Sequence, residues 1–431
     1  MNSNSNANSP SRRTFMHGGA MAAAAAASAP YTATGKLFRP GGDELLRVGL
    51  VGCGGRGRGA AFNALSADPN TKLVAVADAF ADPIESALSS WRNNESVAAQ
   101  IDVDQDHQFV GFDAYKQVIE SCDVVLLATS PHFRPLHVEA AVEAGKHLFI
   151  EKPVATCPTG LRRIWAALRK AREKNLSVVS GLCYRYEFAK QETVKRVQDG
   201  SIGDIISMQT TYNTGALWHR GRKEGWSEME YQMRNWLYFA WLSGDHIAEQ
   251  HIHSLDKLAW AKGGYPVKAT SSGGRVQRTD PKWGNIYDHF NTVYEWEDGV
   301  RGFSSCRQWN GAASDVSDYI YGSRGTANIQ RHSIEAGPWS WRHRSSEPDD
   351  MYQNEHDAFF ASIRSGDHID NADYMCESTL MAIMGRLAAY TGQTVTREDV
   401  LNSKLDLSPK AYEWGDVSCA PIAIPGVTKM V

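Results

Sequence analysis

The chain has 431 residues, 42% of them hydrophobic, and a formal net charge of −4 at pH 7. This length and composition exclude a disordered chain and suggest two or three domains, and the slight acidity argues against nucleic-acid binding. The seven cysteines are odd in number and include no C-x-x-C pair, so neither a disulfide framework nor a thiolate zinc site is indicated.

The first 29 residues are typical of an export signal. A polar run leads into Ser11-Arg12-Arg13-Thr14-Phe15, and an alanine-rich stretch then ends near Ala29. This order of charged, weakly apolar and small residues predicts a twin-arginine signal at residues 1–29, followed by a linker at 30–44. We therefore expect the twin-arginine translocation machinery to export the folded protein to the periplasm or beyond, with no stable membrane span after signal removal.

Between residues 45 and 180, short apolar runs alternate with helical stretches, which predicts βαβ units and a parallel sheet. The predicted strands are 47–52, 72–78, 123–128, 147–150 and 177–181. The predicted helices are 57–67, 113–120, 134–144 and 158–173.

The first of these strands runs into a glycine-rich turn. Gly52, Gly54 and Gly57 have the G-x-G-x-x-G spacing, in which the first glycine allows a tight turn, the second admits a pyrophosphate and the third lets a helix pack closely. Cys53 is interpreted as a small filler within the turn. Asp78 ends the second strand about 20 residues later, where a carboxylate accepts hydrogen bonds from a ribose and favours NAD over NADP. The sequence therefore predicts an NAD-binding Rossmann domain at residues 45–180.

After residue 180 the pattern changes to longer alternating runs, which predict a mostly antiparallel sheet. These runs are 204–212, 266–278, 286–296, 301–309 and 316–330, and two helices come after them at 354–364 and 373–391. The predicted fold is an α/β Rossmann domain plus an α+β domain with a large, open, mostly antiparallel sheet. The second domain is predicted to bind substrate and to span residues 181–400, with a C-terminal extension at 401–431.

Several segments together resemble one known family. The glycine turn is accompanied by four further segments, Thr129-Ser130-Pro131, Ala144-Gly145-Lys146-His147, Glu151-Lys152-Pro153 and Tyr184-Arg185-Tyr186. In this combination the chain resembles the glucose-fructose oxidoreductase, inositol dehydrogenase and rhizopine catabolism family over residues 45–400. The resemblance implies an NAD-dependent oxidoreductase acting on a CH–OH group of a sugar, sugar derivative or cyclitol, and a homo-oligomer.

The resemblance also implies roles for individual residues. Lys152 is expected between the nicotinamide ribose and the reacting hydroxyl, where an ammonium group steadies a developing alkoxide. Tyr184 and Arg185 come just after the predicted strand that ends near Gly181, and from this position they are expected to bind substrate at the mouth of the pocket. The expected cofactor-binding residues are Gly52, Cys53, Gly54, Arg56, Gly57, Asp78, Thr129, Pro131, His137, Glu151 and Lys152.

The segment 243–256 carries a second group of candidate residues. Treated as one helix at about 100° per residue, it places four polar side chains on one face and apolar side chains on the other. The four are His246, Glu249, His253 and Asp256. His251 falls among the apolar residues and is predicted to be a core histidine.

Family members usually show Asp-x-Gly-x-His-x-x-Asp in this segment, so that His253 matches the acid/base histidine and is the second predicted catalytic residue. Glu249 stands where an aspartate is typical, which changes the geometry toward the substrate. His246, Glu249 and Asp256 are predicted to bind substrate. In the alternative, His246, Glu249 and His253 hold a divalent metal ion.

The predicted function is oxidation or reduction of a secondary hydroxyl group, with NAD held tightly because free NAD is scarce outside the cytosol. The many aromatic residues between Tyr212 and Trp241 favour a carbohydrate ligand or, alternatively, core packing. Two other functions remain open. One is a redox-assisted glycosidase, in which transient oxidation of a ring carbon permits elimination, and the other is a non-catalytic sugar-binding protein that keeps the fold.

Overall fold

The computed structural model describes residues 44–430. The predicted twin-arginine signal at 1–29 and the linker up to residue 43 lie outside the described residues. None of the helices within 44–430 combines the length and hydropathy needed to cross a membrane.

Residues 46–180 build a six-stranded sheet in which every neighbouring pair of strands is parallel. The strand order is 3-2-1-4-5-6. Strands are added to one side of β1 up to β3 and to its other side from β4 onward, so the order reverses between β1 and β4. The strands are β1 (Leu46–Val51), β2 (Thr71–Asp78), β3 (Gln108–Val110), β4 (Val124–Leu127), β5 (His147–Ile150) and β6 (Val178–Ser180). We call this sheet the nucleotide sheet.

Helices cover both faces of the nucleotide sheet, because its central strands are apolar on both sides. The connecting helices are α1 (Gly55–Ala67), α2 (Ala81–Arg92), α3 (Ala114–Ser121), α4 (Arg134–Glu143) and α5 (Pro158–Glu173). The buried residues of α1 and α2 pack on one face and those of α3, α4 and α5 on the other. This is the doubly wound arrangement, which binds ligands at the carboxyl ends of its strands.

Helix α6 (Phe188–Gln198) leads into a second, nine-stranded sheet. Its strands are β7 (Ile205–Thr214), β8 (Lys268–Gly274), β9 (His289–Glu295), β10 (Arg301–Gln308), β11 (Asp315–Gly322), β12 (Thr326–Asn328), β13 (Ser333–Ala336), β14 (Trp339–Arg342) and β15 (Val395–Thr396). The order is 14-13-12-11-7-10-9-8-15, and only the pair of β7 and β10 is parallel. We call this sheet the open sheet.

The remaining helices pack against one face of the open sheet or link it to the first domain. They are α7 (Glu228–Arg234), α8 (Ala240–Ser243), α9 (His246–Glu249), α10 (Ile252–Lys262), α11 (Met351–Ser365), α12 (Ala372–Thr391) and α13 (Arg397–Asn402). Apolar side chains of α10 and α12 join those of the sheet in one continuous core. The other face is open, and Ile206 and Phe303 on it are exposed.

The predicted fold class is confirmed, and the differences concern individual helices and strands. The strand predicted at 316–330 is two strands, β11 and β12, because the chain turns between them. The three-residue strand β3 was not predicted, since an apolar run of this length leaves no period to detect. Helices α2 and α6 were also missed.

Candidate active site

The glycine turn between β1 and α1 has the conformation that its spacing predicts. Gly52 has a φ of +101°, which favours glycine, and a Cβ on Gly57 would lie 1.8 Å from the carbonyl oxygen of Gly52. A Cβ on Gly54 would instead meet no atom within 4 Å. The turn therefore requires its first and third glycines for its own packing and leaves the second facing free space.

Asp78 lies at the end of β2 beside this turn. Its Oδ2 accepts the backbone N–H of Cys53 at 2.8 Å, and its Oδ1 accepts that of Phe80 at 3.2 Å. The Cys53 side chain is buried, and burial raises the pKa of its thiol, which agrees with a filler role. The free space beside Gly54 suits a pyrophosphate, and the Asp78 carboxylate, fixed by two N–H groups, suits a ribose. These residues therefore fit an adenine dinucleotide.

Arg56 comes after the turn but faces inward. Its guanidinium contacts Glu151 and pairs with Oε1 of Glu355 at 2.6 Å. Two carboxylates therefore orient this guanidinium beside the turn, and its predicted contact with the cofactor stays a prediction. Glu355 is fully buried and lies 299 residues from Arg56, and no sequence pattern pointed to it.

The residues after β4 form the next part of the carboxyl edge of the nucleotide sheet, where its strands end. Pro131 begins a short helical turn, and the Thr129 carbonyl accepts a hydrogen bond from Arg134 at 2.7 Å. His137, predicted to bind cofactor, is buried with its ring 4.3 Å from that of Tyr115. Burial lowers the pKa of His137 to about 3. Arg134 was not predicted from the sequence, although it is buried and ties Thr129 to the loop after β5 through Pro153.

Lys152 lies just beyond the carboxyl end of β5 and reaches the second domain. Its ammonium group donates to the backbone carbonyl of Glu249 and pairs with Oε1 of the same residue at 3.1 Å. The two side chains retain 14% and 17% of their exposure, so the pair is mostly enclosed yet still reached by solvent. The predicted lysine and the predicted glutamate therefore meet at one cleft between the domains.

His253 lies in the same cleft. Its ring is edge-on to Tyr184 with the centroids 5.1 Å apart, and its Nδ1 has no hydrogen-bond partner among the described residues. Burial, together with the charges of Lys152, Lys257 and Arg56, lowers the pKa of His253 well below its usual value. The imidazole is therefore neutral at neutral pH and close enough to the Lys152 ammonium to be affected by its charge.

Tyr184, which comes after β6, is held between two further ammonium groups. Lys190 and Lys257 place their Nζ atoms 4.6 and 4.5 Å from the centroid of its ring. Lys257 is fully buried and paired with Asp318 on the open sheet. Tyr184 therefore has a fixed position from which it supports the imidazole of His253.

The prediction of one continuous helix through residues 243–256 is wrong. Helix α9 ends at Glu249 and α10 begins at Ile252, and between them the N–H of His251 bonds to the carbonyl of His246, five residues back, at 3.0 Å. One extra residue in a turn rotates the rest of the helix by about 100°. The four polar side chains therefore do not share one face.

The interruption sends these side chains to different surroundings. His246 is buried against Phe290, away from solvent, instead of facing the cleft as predicted. Asp256 is also buried and accepts two hydrogen bonds from Arg185, both at 2.9 Å. The structure thus joins Arg185 and Asp256, both predicted to bind substrate, to each other in a mostly buried pair.

Two other expectations for this segment are settled by the structure. His251 is a core histidine as predicted, buried and bonded to Ser304 at 2.7 Å. Within residues 44–430 no three His, Cys, Asp or Glu side chains are grouped so as to hold a metal ion. The alternative metal site at His246, Glu249 and His253 is therefore not formed.

Three curated relatives illustrate what the chain is similar to. A 2,7-anhydro-N-acetylneuraminate hydratase of Escherichia coli (strain K12) is 24% identical over 292 residues, covering 66% of this chain and 68% of that protein. Inositol 2-dehydrogenase of Rhizobium meliloti (strain 1021) is 23% identical over 340 residues, covering 75% and 90%. Glycosyl hydrolase family 109 protein 4 of Phocaeicola vulgatus is 27% identical over 205 residues, covering 44% and 37%.

Solved structures share the fold. The aldose-aldose oxidoreductase from Caulobacter crescentus, complexed with glycerol, superposes with a TM-score of 0.64 at 17% identity over 82% of this chain and 100% of that one. Levoglucosan dehydrogenase in complex with NADH and levoglucosan gives 0.63 at 17% identity over 82% and 99%. At these identities the likeness concerns the fold alone.

The family assignment covers both domains. The family described as "Oxidoreductase family, NAD-binding Rossmann fold" matches residues 46–179, and the GFO/IDH/MocA C-terminal domain matches residues 191–328. The first match contains the glycine turn, Asp78 and Lys152, and the second contains Glu249 and His253. The chain therefore belongs to the GFO/IDH/MocA family of NAD-binding oxidoreductases.

Proposed function

We propose that the protein oxidises or reduces a secondary hydroxyl group of a sugar, sugar derivative or cyclitol, using NAD that stays bound between turnovers. One observation carries the proposal: the Lys152 ammonium, beside the nucleotide sheet, bonds to Glu249 of the second domain next to the neutral imidazole of His253. NAD bound over the glycine turn supplies the hydride acceptor or donor. The relatives named for inositol and anhydro-neuraminate substrates support a polyhydroxylated substrate.

His253 is suited to accept the hydroxyl proton. The low pKa keeps the imidazole unprotonated at neutral pH, so it is available to accept a proton. The same burial and neighbouring charges favour return of the proton from the imidazole, as the reduction direction requires.

Lys152 is suited to stabilise the substrate oxygen. Its ammonium group is fixed by Glu249, and the partial exposure of the pair leaves room for a hydroxyl group to join it. A cation held in position in a mostly enclosed cleft stabilises charge that develops on oxygen. Glu249 then has two tasks, which are orienting Lys152 and accepting hydrogen bonds from neighbouring hydroxyl groups.

The proposal is tested by releasing the nucleotide from purified protein, identifying it, and assaying inositols, aldoses and aryl glycosides for ketone products by mass spectrometry. In the active reaction Lys152→Ala is expected to lower kcat by about 10²–10⁴-fold, because a group acting in the transition state is lost. His253→Asn is expected to act on the same scale. The nucleotide content should stay that of the parent protein.

Lys170→Ala provides the matched control, since the Lys170 side chain is 63% exposed on α5 and far from the cleft. It should retain the parent kcat. Full activity in Lys152→Ala, or purified protein without any adenine dinucleotide, would contradict the proposal.

A second candidate function is the redox-assisted glycosidase, which is favoured by the similarity to the glycosyl hydrolase family 109 protein. The stoichiometry separates the two candidates. Release of an aglycone without net NADH supports the glycosidase, whereas a ketone product matched by NADH supports the dehydrogenase.

We also propose that residues 1–29 direct export by the twin-arginine pathway, on the strength of Arg12 and Arg13 ahead of the alanine-rich stretch. Replacing both arginines with lysine should retain the precursor in the cytoplasm, as cell fractionation would reveal. The expected homo-oligomer stays a prediction, which sedimentation of the purified protein would test.

A further inference from the structure

The chain after α13 crosses the carboxyl edge of the nucleotide sheet. Residues 403–430 contain no helix or strand. Where this segment reaches the edge, Trp414 packs against Phe80, which comes after β2, and Phe112, which comes after β3. The centroid of the Trp414 ring lies 5.1 Å from that of Phe80 and 4.6 Å from that of Phe112. The ring centroid of Tyr412 lies 5.5 Å from that of Phe133, which comes after β4. The segment therefore covers the ends of three strands, at the edge where open α/β sheets bind ligands.

A second contact closes the same place from the other domain. The guanidinium of Arg234, on α7, lies 3.9 Å from the centroid of the Phe80 ring and pairs with Asp82 at 3.0 Å. Phe80 thus contacts both an arginine of the second domain and a tryptophan of the C-terminal segment. It also donates its N–H to Asp78, the carboxylate beside the glycine turn. This aromatic group therefore borders the adenosine end of the dinucleotide site.

The segment then continues to the second domain and is anchored there. The carbonyl of Gly415 accepts the N–H of Met229 at 3.0 Å, and that of Ala423 accepts the hydroxyl of Tyr287 at 2.9 Å. Gly426 donates to the carbonyl of Thr391, the last residue of α12, at 2.8 Å. The segment thus bridges both domains across the end of the cleft.

Its attachment at the nucleotide edge depends mainly on side chains. Tyr412 and Trp414 keep 37% and 45% of their exposure, and the hydroxyl of Tyr412 bonds to His132 at 2.8 Å. Segments without regular structure and with exposed contacts open at a lower free energy than the cores they cover. This part of the chain is therefore able to detach while both sheets stay folded.

We infer that the part of the C-terminal segment around Tyr412 and Trp414 closes the adenosine end of the NAD site, so that the dinucleotide exchanges only when this part detaches. NAD binding to the glycine turn is sufficient for the inference, which does not depend on the identity of the substrate. Retention of the cofactor between turnovers is then a property of the C-terminal segment, and release is limited by the loss of its aromatic contacts.

The release rate of NADH tests this inference without any substrate. Protein loaded with NADH is mixed with excess NAD, and the decay of the NADH fluorescence is followed. Trp414→Ala is expected to release NADH about tenfold faster, the scale expected when the aromatic pairs with Phe80 and Phe112 are lost. The double variant Tyr412→Ala/Trp414→Ala should release it faster still.

Trp339→Ala is the matched control, because Trp339 is 42% exposed and lies on β14 at the far edge of the open sheet. Its release rate should equal that of the parent. Parent-like release in both Trp414 variants would overturn the inference, and so would equally fast release in Trp339→Ala. Thermal unfolding of each variant checks that both sheets remain folded, and a failed search for a substrate leaves the release experiment unaffected.

Discussion

The glycine turn and the interrupted helix at residues 246–256 face the same cleft but are built differently. The turn is local, since Gly52, Gly54 and Gly57 shape it within six residues. The helix segment depends on distant partners, because Glu249 is held by Lys152, 97 residues away, and Asp256 by Arg185, 71 residues away. One side of the site is thus fixed by backbone sterics and the other by long-range charge pairs.

This difference predicts how each region fails. An added atom should damage the turn, because there is no space between Gly57 and Gly52. A removed charge should damage the helix segment, because a buried partner would then remain unpaired. Substitutions in each region therefore test the contrast between the two.

Removing the carboxylate of Asp256 should have the largest effect on stability. Asp256→Ala leaves Arg185 mostly buried without its partner and is expected to lower the free energy of unfolding by about 3–5 kcal/mol. Urea denaturation measures the change. Asp123→Ala is the control, because its partner Arg47 is 49% exposed, and a loss of only about 0–1 kcal/mol is expected there. Equal losses in the two variants would remove the contrast between buried and exposed pairs.

Adding a methyl group to the turn should have the next largest effect. Gly57→Ala places a Cβ against the carbonyl oxygen of Gly52, and we expect a loss of about 1–3 kcal/mol together with weaker NAD binding. Gly54→Ala has free space for its Cβ, so its stability should match that of the parent while its NAD affinity falls. Denaturation and NAD titration measure the two quantities separately. Parent-like affinity in Gly54→Ala would show that the pyrophosphate does not approach this glycine.

Two buried histidines, His137 on α4 of the first domain and His251 between α9 and α10, predict how stability depends on pH. Burial lowers the pKa of His137, on the nucleotide side, and of His251, on the helix side, to about 3. In the unfolded chain a histidine takes up its proton near pH 6.5. Below that pH the unfolded state binds more protons, so each histidine makes stability fall by up to about 1.4 kcal/mol per pH unit between pH 6.5 and about 3.

Replacing one of these histidines should remove its share of the slope. His137→Gln is expected to show a smaller loss of stability between pH 7 and pH 5 than the parent, by about 1–2 kcal/mol. Urea denaturation at both pH values measures this difference, which is independent of any change in stability at pH 7. An unchanged slope would mean that His137 takes up its proton at the same pH in the folded protein as in the unfolded chain.

The sequence predicted those parts of the site that depend on short-range patterns. The glycine spacing, Asp78 at a strand end and Lys152 at another strand end lie where a parallel sheet brings strand ends together. His253 also reaches the cleft, although the helical phase used to find it was wrong beyond Glu249. Its position near Lys152 depends on the extra residue in the turn before Ile252, which no periodicity reports.

Other parts had no signal in the sequence. Nothing in the sequence indicated that Glu151 and Glu355, on α11, would hold the guanidinium of Arg56. The C-terminal segment was predicted only as an extension, and nothing in Tyr412 or Trp414 alone indicated that they would lie over the phenylalanines after β2, β3 and β4.

The amino-acid sequence by itself determined the two-domain fold, the nucleotide turn and the identity of the groups available for chemistry, because these depend on hydrophobic period, glycine conformation and residue type within short windows. Only the tertiary structure decided which charges pair, which polar groups are buried and what covers the cofactor edge. Those outcomes depend on contacts between residues that are tens to hundreds of positions apart. The free energy of such a contact depends on how deeply both of its residues are buried, and a short stretch of sequence does not contain that information.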